Sequence, residues 1–273
     1  MAFSLSITLR ASKDDDALMN PLALQCGIAL ILLSSAVWCA ERSPNTPSPA
    51  CHGTLYLTLD TGSMQSAETI ATILQRHQIK ATFFVANEPT WRGDHALDDS
   101  WRDFWRARVR EGNHFGNHTW FHATLVKDLS SGDILTRGGD HAPREFDKAG
   151  FCQNLQRVNE RFKVLTGQSL EPIWRAPGGH LTPNAASWAG DCGFPQHVGW
   201  SAAGFLGDEL PSEKYPNPRL LNQALTHLKD GDILMMHLGI RSRHDPFVRV
   251  FEPLITGLQA RGFCFATLPK STE

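Results

Sequence analysis

The chain has 273 residues and a formal net charge of −2, with 26 Lys and Arg against 28 Asp and Glu. Because both signs of charge are spread along the sequence, it offers no basic stripe for a nucleic acid, and no glycine-rich phosphate-binding loop is found in it. A chain of this length accommodates one catalytic domain behind a short N-terminal segment.

The first 53 residues are typical of targeting and linker segments. Residues 22–38 are mainly apolar, which is short for a membrane span but suits the hydrophobic part of an export signal. Because Asp14, Asp15 and Asp16 precede this stretch, a retained anchor and a translation start at Met19 stay open as alternatives. We predict an export signal or membrane anchor over 1–40, a Pro/Ser-rich linker over 41–53 and a catalytic domain over 54–270. The protein is expected to be exported to the periplasm or cell envelope and to meet a membrane only through its N-terminal segment.

Two apolar segments predict the first strands of a sheet. The run LYLTLDTG alternates apolar and polar residues and ends at Asp60. The run ATFFV, residues 81–85, is almost continuously apolar, as is typical of a strand buried in a parallel sheet. The first of these strands therefore delivers a carboxylate to its carboxyl end.

His118 and His122 lie four residues apart in the stretch GNHFGNHTWFHATL. If the backbone coils after His118, the two imidazoles face the same way and can bind one ion. Neutral imidazole suits Zn²⁺, and also Co²⁺ and Ni²⁺. Taken alone, such a pair is more often a coincidence on a helix face, so its interpretation depends on the other motifs.

Two later strands also end in polar residues, Arg175 in IWRAPGG and His237 in DILMMHL. Helical periodicity between the strands, with stops at Gly167 and Gly262, predicts alternating βα units and a parallel sheet. In barrels of parallel strands the active site forms at the carboxyl ends of the strands. The Gly- and charge-rich segment 127–150 is predicted to be an inserted loop at this rim.

The motifs LDTG, HTWFH, RAP and LMMH, in this order, resemble those of the polysaccharide deacetylases of the NodB-homology type, carbohydrate esterase family four, over about residues 54–269. The resemblance implies an α/β fold, a distorted (β/α)7 barrel. It also implies a metal-dependent hydrolase that removes acetyl groups from N-acetylated sugars of an envelope or extracellular polysaccharide. In this family pattern His118 and His122 bind a divalent metal, zinc or else cobalt or nickel. The resemblance further implies that Asp60 is the general base, that Arg175 orients it through a bidentate pair, and that His237 is the general acid.

The chain departs from the family pattern at two motifs. The family's second aspartate, a metal ligand, is replaced by Thr61, which leaves two imidazoles unless another carboxylate completes the site. In the fourth motif Trp200 fits, but Ala202 and Ala203 stand where an acid is often found. Asp208, in the following loop, is the candidate to replace that acid.

Several alternatives follow from these departures. The alternative enzymatic function is that of an O-acetyl esterase on the same scaffold. The alternative without enzymatic activity is a catalytically impaired glycan-binding protein. A cytoplasmic amide hydrolase acting on small molecules is a further reading. Asp60 with Arg175 could also form a purely structural ion pair, and His237 could be a buried core histidine.

Four cysteines lie beyond the predicted export segment, and an oxidising compartment would allow them to pair. Cys51 precedes the first strand and Cys264 lies in the last, so these two become neighbours if the barrel closes. Since no C-x-x-C occurs, a thiolate zinc site is not expected.

Overall fold

The structure, a computed structural model, describes residues 51–138 and 141–269. These residues form one compact unit. The predicted signal or anchor over 1–40 and most of the predicted linker lie outside the described residues. In the part of the chain that is described, no helix is both long and apolar enough to cross a membrane.

Ten strands and six α-helices follow one another in the described residues. The strands are β1 (Gly53–Asp60), β2 (Thr82–Val85), β3 (His114–Asn117), β4 (Thr124–Asp128), β5 (Ile134–Gly138), β6 (His141–Phe146), β7 (Ile173–Trp174), β8 (Gln196–His197), β9 (Ile233–His237) and β10 (Phe263–Ala266). The helices are α1 (Ala67–Arg76), α2 (Arg102–Arg110), α3 (Lys148–Thr166), α4 (Pro183–Asp191), α5 (Asn217–His227) and α6 (Val248–Ala260).

Seven of the strands form one parallel sheet in the order β10-β1-β2-β3-β7-β8, with β9 paired to β1 on its other side. β10 pairs with the first half of β1, and β2 pairs with the last three residues of β1. A single parallel bridge, Phe205 to Met235, brings the segment after β8 back to β9. The predicted distorted α/β barrel is therefore confirmed, with its seam between β8 and β9 closed by this bridge rather than by continuous strand pairing.

The segment after β3 does not remain an irregular loop. Strands β4, β5 and β6 form a separate antiparallel sheet of three strands, so the prediction of an inserted loop over 127–150 is wrong in its local structure. The Gly and charged residues that suggested a loop lie largely in the turns and on exposed positions of this meander, for example at Gly132 and Gly138. Residues 148–150 already belong to α3.

Apolar side chains fix the helices against the sheet. In α3 the residues Phe151, Leu155, Val158, Phe162 and Leu165 are fully buried, and Gly167 ends the helix in the left-handed conformation, as the periodicity predicts. Aromatic rings from β2, β3, α2 and α3 meet in the core; these are Phe83, Phe115, Trp105 and Phe162. This packing holds the strand ends, and hence the polar residues on them, in fixed positions.

Two disulfides cross-link the domain. Cys51 and Cys264, which the sequence places close together only if the barrel closes, are bonded and join the start of β1 to β10 across a sequence separation of 213 residues. A second bond, between Cys152 in α3 and Cys192 after α4, was not anticipated from the sequence. The pairing of β10 with β1 explains why the first and last strands come close enough for the first bond.

Candidate active site

The carboxyl ends of neighbouring strands bring the predicted residues together. Asp60 ends β1 and His237 ends β9, and the two are direct partners in the β1–β9 register. His118 follows β3 and Arg175 follows β7, where Asn117 and Trp174 pair. The parallel arrangement of the strands thus turns four distant sequence positions into one cluster.

Asp60 and Arg175 form a buried ion pair at the centre of this cluster. Arg175 Nη1 donates to Asp60 Oδ1 at 2.7 Å, and the exposed fraction is 2% for Asp60 and 0% for Arg175. Arg175 also donates from Nη1 to the Thr58 hydroxyl at 2.9 Å, from Nε to the carbonyl of Val198 and from Nη2 to that of Gly199. The predicted bidentate pair is therefore replaced by a single hydrogen bond to Asp60, because a hydroxyl and two backbone carbonyls accept the other bonds of the guanidinium.

The charge on Asp60 is maintained by its cationic neighbours. Burial alone would raise the pKa of Asp60, but Arg175, followed by His118 and His237, lowers it below its ordinary value. The guanidinium also lies over the Phe84 ring, with its central carbon 4.1 Å from the ring centroid. Asp60 is consequently an ionised carboxylate that is held rigidly and can accept a proton.

The imidazoles of His118 and His122 face each other through their Nε2 atoms, which are 3.2 Å apart. His118 Nδ1 lies 2.8 Å from the carbonyl oxygen of Arg175, to which it donates, and this contact leaves Nε2 as the lone-pair nitrogen. Burial lowers the pKa of His118 to about 4 in spite of the opposing effect of Asp60, so its imidazole is neutral. His118 Nε2 also lies 3.5 Å from Asp60 Oδ2.

The loop that carries His122 is not a turn of α-helix, so the helical spacing proposed from the sequence is wrong. Thr119 and His122 have φ values of 65° and 48°, in the left-handed region. Asn154 of α3 fixes this backbone, because its Oδ1 accepts the N–H groups of Trp120 and Phe121 at 2.9 and 3.2 Å. A loop tied to a helix achieves the convergence that a helical turn was expected to give.

Glu88 contributes a carboxylate that sequence reasoning missed. Its Oε2 accepts the Thr61 hydroxyl at 2.6 Å and the Gly62 N–H at 2.7 Å, and its Oε1 lies 3.4 Å from His122 Nδ1. Burial would raise the pKa of Glu88, but His122 and the Thr61 hydrogen bond lower it below the ordinary value. The signal was present, since Glu88 follows the apolar run of β2 as the other site residues follow their strands.

His237 is paired with Asp208, the residue considered as a replacement for the missing acid of the fourth motif. Asp208 Oδ2 accepts the His237 N–H at 2.8 Å, and both carboxylate oxygens lie 3.2 Å from His237 Nδ1. Burial opposes the charged imidazole, but Asp208 outweighs it and raises the pKa of His237 to about 10. His237 is therefore an imidazolium near neutral pH. Glu209, also missed, lies 3.7 Å from His237 Nε2.

Two imidazole nitrogens suit a divalent cation, but a third ligand is not yet in place. Nitrogens 3.2 Å apart can both lie about 2.0–2.1 Å from one zinc ion at an angle of about 100°, close to tetrahedral. Among the described residues, no three or more His, Cys, Asp and Glu side chains stand together so as to hold a metal ion. His118 and His122 thus fit a metal as part of its ligand set.

An open cavity of about 360 Å³ adjoins the His122 side of the cluster. Its lining includes two aromatic side chains of the HTWFH loop, Trp120 and Phe121, together with Asn87, Glu88, Pro89, His95 and His122. Arg157 lies over the Trp120 ring at 3.8 Å from its centroid. Aromatic and polar groups around an open cavity are suited to a polar ligand that carries apolar faces, such as a sugar.

Comparison with known proteins assigns the chain to a family. The sequence model of the polysaccharide deacetylase family matches residues 48–197, which is more than half of the chain. The chain belongs to the polysaccharide deacetylase family. The membership expected from the four motifs is thereby confirmed.

Individual relatives of this polysaccharide deacetylase are distant. The chain is 26% identical over 218 residues to an uncharacterized 30.6 kDa protein of Geobacillus stearothermophilus, covering 78% of this chain and 69% of that one. It is 23% identical over 233 residues to the peptidoglycan-N-acetylglucosamine deacetylase of Bacillus cereus, covering 85% and 73%.

Solved structures of family members share the fold. A pseudoenzyme of carbohydrate esterase family four from Bacillus anthracis superposes with a TM-score of 0.57 at 20% identity, over 79% of this chain and 64% of that longer one. An acetyl xylan esterase of the same family from Clostridium thermocellum, in complex with a cobalt ion, gives 0.59 at 19%, over 79% and 88%. At these identities the likeness concerns the fold, which confirms the α/β architecture of the NodB type.

Proposed function

We propose that this protein is a metal-dependent hydrolase that removes acetyl groups from N-acetylated sugars of an envelope or extracellular polysaccharide. One observation carries the proposal. An ionised carboxylate, Asp60, and a protonated imidazole, His237, end two paired strands beside the His118 and His122 imidazoles. A base and an acid of opposite charge on a rigid frame are what amide hydrolysis requires.

His118 and His122 would hold the divalent cation, with zinc the first candidate and cobalt or nickel the alternatives. When bound, such an ion polarises the acetyl carbonyl and lowers the pKa of water toward 7. The carbonyl of Arg175, which lies 2.8 Å from Nδ1 of His118, keeps that ring oriented.

Asp60 acts on the attacking water. Its carboxylate takes one proton from the water as the oxygen adds to the acetyl carbon, and Arg175 keeps that carboxylate ionised and in one orientation. The hydrogen bond from Arg175 to Oδ1 leaves Oδ2 on the side of the imidazoles, 3.5 Å from His118 Nε2. The base therefore has one oxygen held and one oxygen free for the proton.

His237 acts on the leaving group. Its imidazolium gives a proton to the sugar nitrogen as the carbon–nitrogen bond breaks, so that acetate and a free amine are formed. An amide needs this proton because an amide anion is a very poor leaving group. Asp208, which accepts both the backbone and the ring N–H of His237, keeps the imidazole charged and correctly turned.

The location of the substrate is inferred from two features. The cavity beside Trp120 and Phe121 is open and is rimmed by aromatic and polar groups, which suits part of a long polysaccharide. The two disulfides favour an oxidising compartment, since such bonds are rare in reducing cytosol. Both features support an envelope or extracellular substrate over a cytoplasmic small molecule.

Two competing functions have specific support. The relative that is an acetyl xylan esterase supports O-deacetylation on the same scaffold. The pseudoenzyme relative, together with Thr61 in place of a family metal ligand, supports a glycan-binding protein without turnover. The protonated His237 favours the amide over the ester, because an alkoxide leaves without the full proton transfer that an amine needs.

The test is acetate release by the full chain in the presence of Zn²⁺ or Co²⁺. N-acetylglucosamine oligomers, peptidoglycan and acetyl xylan are compared, with Asp60→Asn and His237→Gln as the inactive variants and the exposed His244→Ala as the control. We expect amide substrates to be turned over, with a loss of about 100-fold or more in each site variant and parent activity in the control.

Different results point to different functions. Turnover of acetyl xylan alone would identify the O-acetyl esterase. Binding of oligosaccharides without acetate release under either metal would identify the glycan-binding protein. Near-parent activity in Asp60→Asn would contradict the assignment of the base.

A further inference from the structure

The two imidazoles leave the metal site one protein ligand short. Catalytic zinc usually has three protein ligands, and the neutral hydroxyl of Thr61 is a poor one. Asp60, the other carboxylate near His118, has one oxygen held by Arg175 at 2.7 Å, and the proposed reaction uses its other oxygen to take the proton of the attacking water. A further carboxylate with free oxygen capacity is therefore needed beside His118 and His122.

Glu88 has the position for this role. It lies three residues beyond β2, and its Oε2 is only 2.6 Å from Thr61 Oγ1. The Glu88 carboxylate therefore reaches position 61 from the segment after the neighbouring strand β2. Thr61 also accepts the Ala86 N–H at 3.2 Å, so its hydroxyl hydrogen is directed to Glu88.

One oxygen of Glu88 is held firmly and the other is not. The Thr61 hydroxyl and the Gly62 N–H fix Oε2 at 2.6 and 2.7 Å. Oε1 lies 3.4 Å from His122 Nδ1, which is longer than a normal N–H···O hydrogen bond. Oε1 is consequently free to turn to a stronger partner with little loss.

The negative charge on Glu88 also lacks a permanent positive partner among the described residues, and a bound cation would compensate it. Within the described residues, the salt-bridge partner found within 4.0 Å of its carboxylate is His122, and no Lys or Arg stands there. Asp60, in contrast, is paired with the permanently charged guanidinium of Arg175. A carboxylate with a side-chain exposure of 15% is costly to bury without a compensating positive charge, which a metal ion would supply.

We propose that Glu88 is the carboxylate ligand that completes the metal site with His118 and His122, and that Thr61 holds it in place. The site would thus draw its carboxylate from the loop after β2 instead of from the end of β1. The inference rests on the metal dependence of the proposed function but not on the identity of the substrate. It makes Thr61 a supporting residue of an active metal site and not the mark of a disabled one.

The test is metal affinity, measured by calorimetry on the chelator-treated full chain with Zn²⁺ and supported by the visible absorption of the Co²⁺ form. Glu88→Gln removes the ligating charge but keeps the size and the hydrogen-bonding capacity. The matched control is Glu111→Gln, a partly buried carboxylate paired with Arg108 away from the site. We expect one ion per parent chain, an affinity about 100-fold or more weaker in Glu88→Gln, and parent affinity in the control.

A double-mutant cycle with Thr61→Asp distinguishes a ligand from a residue that only orients His122. If Glu88 ligates the ion, an aspartate at 61 restores most of the affinity in Glu88→Gln. It adds little in the parent, because two carboxylates would then compete for one place. Restoration also shows that Glu88→Gln is folded.

Three results would overturn the inference. These are parent-like affinity in Glu88→Gln, an equal gain from Thr61→Asp in both backgrounds, and absence of metal binding by the parent. The proposed function fails separately. If the parent binds metal through Glu88 but releases no acetate from any acetylated glycan, the ligand assignment stands and the hydrolase assignment does not.

Discussion

The protonation state of His237 can be tested by removing the charge of its partner in Asp208→Asn. Asparagine keeps an oxygen that can accept the His237 N–H, now at 2.8 Å, so the backbone contact survives while the anion is lost. Burial lowers the pKa of His237, and Asp208 is the main group that raises it to about 10. Without Asp208 the pKa is expected to fall toward its ordinary value of about 6.5, because burial opposes the smaller effects of Asp60 and Glu209.

The size of the effect follows from these two pKa values. At about pH 8.5 nearly all of the parent is protonated at His237, whereas about 1 in 100 molecules of the variant would be, two pH units above its pKa. Turnover of an N-acetylated substrate should therefore drop about 100-fold at pH 8.5 but only a few-fold near pH 6. Because His237 is the acid, activity is lost as the pH rises through its pKa. In the variant this loss of activity should occur at a lower pH.

The assay is the pH dependence of kcat on an N-acetylglucosamine oligomer from pH 5.5 to 10.5. Asp230→Asn is the matched control, since Asp230 also accepts a backbone N–H, that of Thr54 at 2.7 Å, but at the opposite end of β1. The control should keep the parent profile. A uniform loss of kcat in Asp208→Asn, with the alkaline limb unmoved, would refute the assignment of His237 as an imidazolium acid maintained by Asp208.

Two further predictions concern the frame of the site. Replacing both Cys152 and Cys192 by Ser opens a loop with a sequence separation of 40. In the chain-entropy model this should lower the free energy of unfolding, measured by urea denaturation, by about 4 kcal/mol. A decrease below about 1 kcal/mol would count against that model for this bond. Asn154→Ala removes the acceptor that holds the HTWFH loop and should cost about 1–3 kcal/mol of stability and also weaken metal binding. Asn159→Ala, on the same helix but bonded to the Leu170 N–H, should affect stability alone, and equal loss of metal affinity in both variants would disprove the role of the loop.

The sequence was sufficient for residues that sit directly on regular strands. Asp60 and His237 end strands with clear apolar patterns. Their position at the same end of the sheet could therefore be predicted from the parallel arrangement of the strands. The proximity of Cys51 and Cys264 followed in the same way, from the neighbouring first and last strands, whereas the sequence leaves the bond itself open. The sequence pattern located these residues because the apolar positions of each strand repeat with the geometry of its backbone.

Residues that act from loops were harder to predict. Glu88 and Asp208 reach the site through irregular backbone, and the direction of such side chains depends on contacts that no periodic pattern encodes. The His118 and His122 pair was anticipated for an incorrect reason. Their rings meet because Asn154 clamps the loop, not because a helix spaces them, and α3 supplies that asparagine from more than thirty positions away.

The bond between Cys51 and Cys264 ties the amino end of β1 to β10. Cys51 lies at the amino end of β1, and Asp60 ends the same strand at the opposite edge of the sheet. A strand of eight residues rises about 3.3 Å per residue, so the two edges are separated by roughly 25 Å. The disulfide therefore ties the first and last strands together at the end of β1 that lies farthest from Asp60. Reduction of this bond would loosen the two strands there, at a distance from the reaction centre.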